Sequence, residues 1–176
     1  VNDDVRYRAV AAPPHPHLLA AICTETLDTT VCDACLRAAA PAAGALASFT
    51  GLVRGDREGT PLQALELEHY PGMTEQSMHD SLVEAAQRWP LLAVHARHRV
   101  GRLLPGETIV WVGVAARHRA AAFAAAEFVM DFLKTRAILW KREWDSTGGH
   151  WVQATAEDLQ RTQRWYSPTF SGHAER

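Results

Sequence analysis

Apolar and polar positions along this chain fall into short periodic runs separated by Pro and Gly. Val5-Arg-Tyr-Arg-Ala-Val10 alternates apolar and charged residues, which predicts a half-buried strand ending in the loop Pro13-Pro-His-Pro16. Residues 28–40 predict a helix capped by Asp28 or Thr29 and stopped by Pro41, with Val31, Ala34, Cys35 and Ala38 on its apolar face. Ala45-Leu-Ala-Ser-Phe-Thr50 predicts a buried strand, followed by a polar, glycine-bearing loop from Gly55 to Pro61. Leu62 to Tyr70 predicts a strand in which Leu65 and Leu67 alternate with Glu66 and Glu68.

A helix is expected from Thr74 to Trp89, since Met78, Leu82, Ala85, Ala86 and Trp89 recur at helical spacing. From Leu92 to Leu103 one strand is expected, with Leu92, Val94, Ala96, His98 and Val100 on one face and His95, Arg97 and Arg99 on the other. Residues 107–115 form a nearly unbroken apolar run, as expected of a strand buried on both faces. A second long helix, 120–135, places Ala121, Ala125, Phe128, Phe132 and Thr135 near one side. Two strands, 139–144 and 150–153, flank the turn Ser146-Thr-Gly-Gly149, and a short helix covers 157–165. About seven strands in hairpin-like pairs around two main helices favour an α+β fold over a doubly wound parallel sheet.

Composition narrows the class. With 176 residues, one domain is expected over 1–165, followed by a tail at 166–176. A net charge of −2 argues against nucleic-acid binding. No apolar run approaches a membrane span, and the start has no basic signal-peptide front, so the chain reads as cytoplasmic with no membrane partner. Cys32 and Cys35 form one CxxC without a second, and small cysteines are common on buried helix faces; no metal is expected.

Against this bland background the lysines stand out. Lys134 and Lys141 are the only two, beside sixteen arginines. An arginine cannot lose its proton near neutral pH, whereas a lysine with a lowered pKa can act as an amine nucleophile or base. A high-Arg composition could also leave two lysines by chance, and the lysines alone do not decide between the two readings. Basic residues also gather at predicted element ends: Arg54 after one strand, His118 and Arg119 at the start of the second long helix, and Lys134, Lys141 and Arg142 beyond its end. Each alone reads as a solvated charge, but together they suit an anionic substrate. If that helix is intact, Arg119 and Lys134 lie roughly 22 Å apart. They can share a pocket only across a two-fold dimer.

Five stretches in order carry a resemblance: Phe49-Thr-Gly-Leu-Val-Arg54; Leu67-Glu-His-Tyr-Pro-Gly-Met73; His98-Arg-Val-Gly101 with Pro105-Gly-Glu107; His118-Arg-Ala-Ala-Ala-Phe123; and Asp131-Phe-Leu-Lys-Thr-Arg136 with Trp140-Lys-Arg-Glu143. Over about residues 44–154 the chain resembles the large subunit of molybdopterin synthase, the MoaE family. The resemblance implies an α/β-hammerhead fold and a homodimer at the centre of a heterotetramer. It implies a small ubiquitin-like sulfur-carrier subunit whose C-terminal Gly-Gly thiocarboxylate supplies sulfur to cyclic pyranopterin monophosphate, with no cofactor for the step. It further implies catalytic roles for Lys134, nearest the partner's tail, and Lys141. Substrate contacts would come from Leu52, Val53, Arg54, Arg142 and Glu143, with His118 and Arg119 from the neighbouring subunit. Leu52 stands where the family often has lysine, and Arg57 is the candidate replacement for that cation. Two other readings are a non-catalytic module that binds a ubiquitin-like tail and a Schiff-base enzyme unrelated to pterins.

Overall fold

The computed structural model describes residues 15–167. The expected strand 5–10, part of the loop before His15 and most of the tail lie outside the described residues. The described residues form an α+β structure of two four-stranded sheets and a small hairpin, with four helices.

Strand β8 (Thr108–Ala116) sits inside the first sheet, between β6 (Leu91–Arg99) and β2 (Ala45–Leu52), both antiparallel to it. Its unbroken apolar sequence follows from its position, because both faces are covered. Val110, Val112, Val114 and Ala116 face α2 (Met73–Arg88) and α3 (Arg119–Thr135), in the core built around Met78, Leu82, Phe128 and Val129. Trp111 and Ala115 face α1 (Thr29–Ala39) on the opposite side, with Leu36 and Cys32. Strand β1 (His17–Cys23) closes the other edge, parallel to β6.

That edge strand was not expected from the sequence. Its apolar run is short and follows a proline-rich stretch, and a parallel partner far along the chain leaves no local hairpin signal. Helix α1 is where expected and Asp28 caps it, accepting from Thr30 N at 2.8 Å and Val31 N at 3.2 Å. Its buried side differs, however. Cys32 and Leu36 are buried, while Val31, Ala34, Cys35 and Ala38 are exposed. Leu36, the largest apolar side chain of the helix, sets the rotation by packing on Trp111.

The second sheet runs β10 (Gly148–Val152), β9 (Leu139–Asp145), β5 (Ala64–His69) and β7 (Gly101–Leu103), all antiparallel. The expected strand 92–103 is therefore two strands. Gly101 at φ 92° breaks it and passes the chain from one sheet to the other. The polar side of β6 is also buried, with His95 at 1 % and Arg99 at 6 % exposure. The expected loop 55–61 contains the short hairpin β3 (Asp56–Arg57) and β4 (Thr60–Pro61). A third apolar cluster, Val53, Leu65, Leu67 and Leu103, lines one face of the second sheet. Helix α4 (Ala156–Arg164) packs on α3.

Gly113 shows how closely α1 and β8 approach. A Cβ there would fall on the Trp111 ring, 2.6 Å from Cζ2, and 2.8 Å from Leu36 Cδ2. Gly113→Ala should therefore destabilise the protein by about 2 kcal/mol. Equilibrium denaturation measures this, and an unchanged midpoint would contradict the packing described.

Candidate active site

Alternation along β9 determines which side chains meet. Residues 141, 143 and 145 point to one face, and residues 140, 142 and 144 to the other. On the first face, Lys141 pairs across the sheet with Leu67 and Glu143 with Leu65, so both charged groups border the third apolar cluster.

Glu143 is the most buried member, with its side chain 3 % exposed. Its Oε1 accepts from Arg54 Nη2 at 3.3 Å and lies 4.0 Å from Lys141 Nζ. Its Oε2 is buried without a hydrogen-bond partner. Arg54 follows the end of β2, and neighbouring Val53 is anchored by backbone bonds to Glu107 and Gly106. Burial pushes the Lys141 amine below its ordinary pKa; Glu143 opposes the shift, while Arg54 and Lys134 add to it. Lys134, at the end of α3, is thus among the charges that act on Lys141. Lys134 Nζ donates to Asp158 Oδ1 of α4 at 3.1 Å.

Not every sequence-derived candidate joins this cluster. Arg142 projects from the opposite face of β9, its guanidinium 4.2 Å from the Trp151 ring centroid and 3.8 Å from Glu66. Val53 is core, and Leu52 is exposed. Arg57 is paired with Asp145 at 3.0 Å. His118 and Arg119 are exposed at the start of α3, and the helix is unbroken to Thr135. They therefore stand about 22 Å or more from Lys134 in the same chain. A groove of about 490 Å³ lies between the start of α2 and the end of α3, and one of about 600 Å³ between the ends of α3 and α4; neither is lined by Arg54, Lys141 or Glu143. Within one chain the cluster is an open corner, with the Arg54 and Lys141 side chains 68% and 37% exposed.

Two residues enter that sequence reasoning did not assign. His98 is almost fully buried, and the Lys141 charge acts on it. A carbonyl can only accept, so His98 Nδ1 carries the hydrogen donated to Arg99 O at 2.8 Å, and Nε2 keeps its lone pair. Burial pushes its pKa down to about 4. The other is Asp158, 24 residues beyond Lys134 and on a different helix. The strand alternation had already flagged His98 as inward-facing, whereas nothing in the sequence links Asp158 to Lys134. Among the described residues, no group of three or more His, Cys, Asp or Glu could hold a metal ion. In the CxxC of α1, Cys32 is buried and Cys35 exposed. No helix among the described residues is long and apolar enough to cross a membrane.

A buried carboxylate holds an arginine and a partly buried lysine, with a second lysine acting on the first, an arrangement of cations able to take an anion. Comparison with known proteins then gives the family. The profile described as MoaE protein matches residues 22–136. A molybdopterin synthase catalytic subunit from Escherichia coli (strain K12) is 51% identical over 122 residues, 69% of this chain and 81% of that protein. The solved molybdopterin biosynthesis MoaE protein of Burkholderia ambifaria MC40-6 is 45% identical, covering 86% of this chain and 99% of that one, with a TM-score of 0.73. The subunit 1 and 2 complex of molybdopterin-converting factor from Helicobacter pylori 26695 shares the fold at 20% identity, over 80% of this chain and 90% of that one, with a TM-score of 0.59. The chain belongs to the MoaE family.

The neutral His98 makes stability depend on pH. Its folded pKa lies below its unfolded value, so the unfolded chain binds the extra proton first as pH falls. The contribution is level above about pH 6.5, and stability drops between there and about pH 4, by up to about 3 kcal/mol for this group. Denaturant titrations across that range should show the slope, and His98→Asn should reduce it to the part left by His95, which burial also pushes down to about 4.

Proposed function

We propose that this chain is the catalytic subunit of a molybdopterin synthase. It would transfer sulfur from the C-terminal thiocarboxylate of a small ubiquitin-like subunit to cyclic pyranopterin monophosphate, forming the dithiolene of molybdopterin. The observation that carries this reading is the junction of Arg54, Lys141 and Glu143 with Lys134, set in a chain of the MoaE family. The words "catalytic subunit" in the name of the Escherichia coli relative agree with a protein that works beside another chain.

The residue types suit the chemistry. Lys134, the more exposed amine, meets the incoming tail and serves as base or nucleophile there. Lys141 lies deeper, where desolvation favours loss of its proton and Glu143 restrains that loss. In its charged form it stabilises negative charge that develops on the thiocarboxylate or the pterin side chain. Arg54 is 68% exposed at its side chain and, held through one nitrogen by Glu143, presents its remaining N–H groups to a phosphate. His118 and Arg119 complete the anion pocket from the second subunit of a homodimer. The length of α3 and the open corner in a single chain both support that arrangement. Leu52 and Val53 line the approach with their backbone. Arg142, on the other face of β9, supports the site by fixing that strand against Glu66 and Trp151. The α/β-hammerhead description, a single domain to residue 165 and a cytoplasmic location belong to the same reading. A single domain is supported by Ile109, which packs against both the main core and the third cluster.

Lys134→Ala should lower turnover by about a hundredfold or more while the small subunit still binds. An assay with thiocarboxylated partner and pterin precursor measures this, and near-normal turnover would remove the assignment. Mixed dimers of a Lys134→Ala chain and an Arg119→Ala chain should regain activity, because one of the two sites then carries neither substitution. Activity no higher than that of either variant alone would place His118 and Arg119 outside the site.

A further inference from the structure

Helix α4 lies beyond the residues matched by the family profile, yet it touches the proposed catalytic amine. We propose that Asp158 is a positioning residue for Lys134, holding its amine at the rim of the Arg54–Lys141–Glu143 cluster and making α4 part of the reaction's apparatus. The proposal rests on the role given to Lys134 above.

The two oxygens of Asp158 have separate partners. Oδ2 accepts from Thr155 N at 3.1 Å and Thr155 Oγ1 at 2.8 Å, closing the capping box at the start of α4. Oδ1 accepts from Lys134 Nζ at 3.1 Å. Helix α4 is itself fixed to α3. The buried Asp131 carboxylate accepts from Trp165 Nε1 at 2.8 Å, Arg164 Nη2 at 3.1 Å and Arg161 Nε at 3.4 Å. Thr162 Oγ1 adds a bond to Asp131 O at 3.1 Å.

The restraint thus forms a closed ring. Asp131 fixes α4, α4 presents Asp158, and Asp158 returns to Lys134, three residues after Asp131 on α3. A lysine at an exposed helix end otherwise samples many rotamers, and ordering such a side chain is entropically costly. A partly exposed ion pair adds little to stability, so the contribution of this one lies in position. Asp158 of α4 is the ion-pair partner of the Lys134 amine, and both groups act on Lys141 of β9, as do Glu143 and Arg54; the Lys141 charge in turn acts on His98 of β6. Among them Asp158 is the group that bonds the Lys134 amine directly.

Asp158→Asn keeps an oxygen for the Thr155 cap and removes the acceptor for the lysine. Glu157→Gln, by contrast, removes the neighbouring exposed carboxylate of α4 and leaves the ring intact. Because the chain holds two lysines, labelling their Cε and Nζ atoms gives two NMR signals, which a Lys141→Arg variant assigns. The Lys134 amine should show slowed hydrogen exchange in the wild type and in Glu157→Gln, and lose it in Asp158→Asn. With thiocarboxylated partner and precursor, Asp158→Asn should lower kcat about tenfold with precursor KM nearly unchanged. Asp158→Glu should recover part of that loss, and Glu157→Gln should keep kcat. An unchanged Lys134 signal or a wild-type kcat in Asp158→Asn overturns the proposal, as does an equal loss of kcat in Glu157→Gln. If the wild type itself fails to convert the precursor, the functional reading fails, and the lysine signals still decide this one.

Discussion

The site depends on one buried charge. Glu143 is 2 % exposed, and an isolated carboxylate in such a place is costly by several kcal/mol. Arg54 and Lys141 offset that cost, and in doing so they are fixed in space. The segment after β2 must come to β9 for the pairing to exist. The lysine must lie along the apolar face of the second sheet rather than extend into water, and its lowered pKa follows from that burial. Electrostatics and tertiary packing are here the same constraint: removing the carboxylate leaves two cations facing each other at the edge of a hydrophobic cluster.

A second buried carboxylate mirrors the first. Asp131 stands at the start of the stretch 131–143 and Glu143 at its end, and each is about one-twentieth exposed or less. Asp131 gathers α4 through two arginines and a tryptophan, and Glu143 gathers Arg54. Between them lie both lysines of the chain. Each amine is held by a carboxylate from outside its own helical turn or by its strand neighbour: Lys134 by Asp158, Lys141 by Glu143. Arginine, with its planar fork, performs the permanent anchoring, and of the two lysines Lys141 is kept where burial favours loss of its proton.

Much of this was legible in the sequence because its signals are local. The continuous apolar run of β8, the Ser-Thr-Gly-Gly turn and the helical spacing from Ala121 to Phe132 each report a period set by nearby neighbours. What escaped was set by contacts distant in sequence. Strand β1 pairs with residues more than seventy positions away. The rotation of α1 follows from Leu36 meeting Trp111 across the core rather than from the count of apolar residues on one face. Asp158 carries the common signature of a helix cap, and its second oxygen is committed by a tertiary contact that no spacing rule reports. Sequence adjacency also misled once: Lys141 and Arg142 are neighbours in the chain, but a strand sends consecutive residues to opposite faces.

The same geometry explains why the proposed anion pocket calls for more than one chain. Helix α3 is stiff and unbroken, buried along Ala122, Ala125, Phe128 and Phe132, so it cannot fold its two ends together. Its start exposes His118 and Arg119 beside free backbone N–H groups, a favourable place for a phosphate. Its end presents Lys134 to the Glu143 cluster. A rigid rod with complementary halves of a site at its two ends brings them together by symmetry: in a two-fold pair, each rod's start can meet the other's end, and two equivalent sites form at once. The apolar spine that stabilises α3 is therefore also what makes the proposed catalytic unit a dimer.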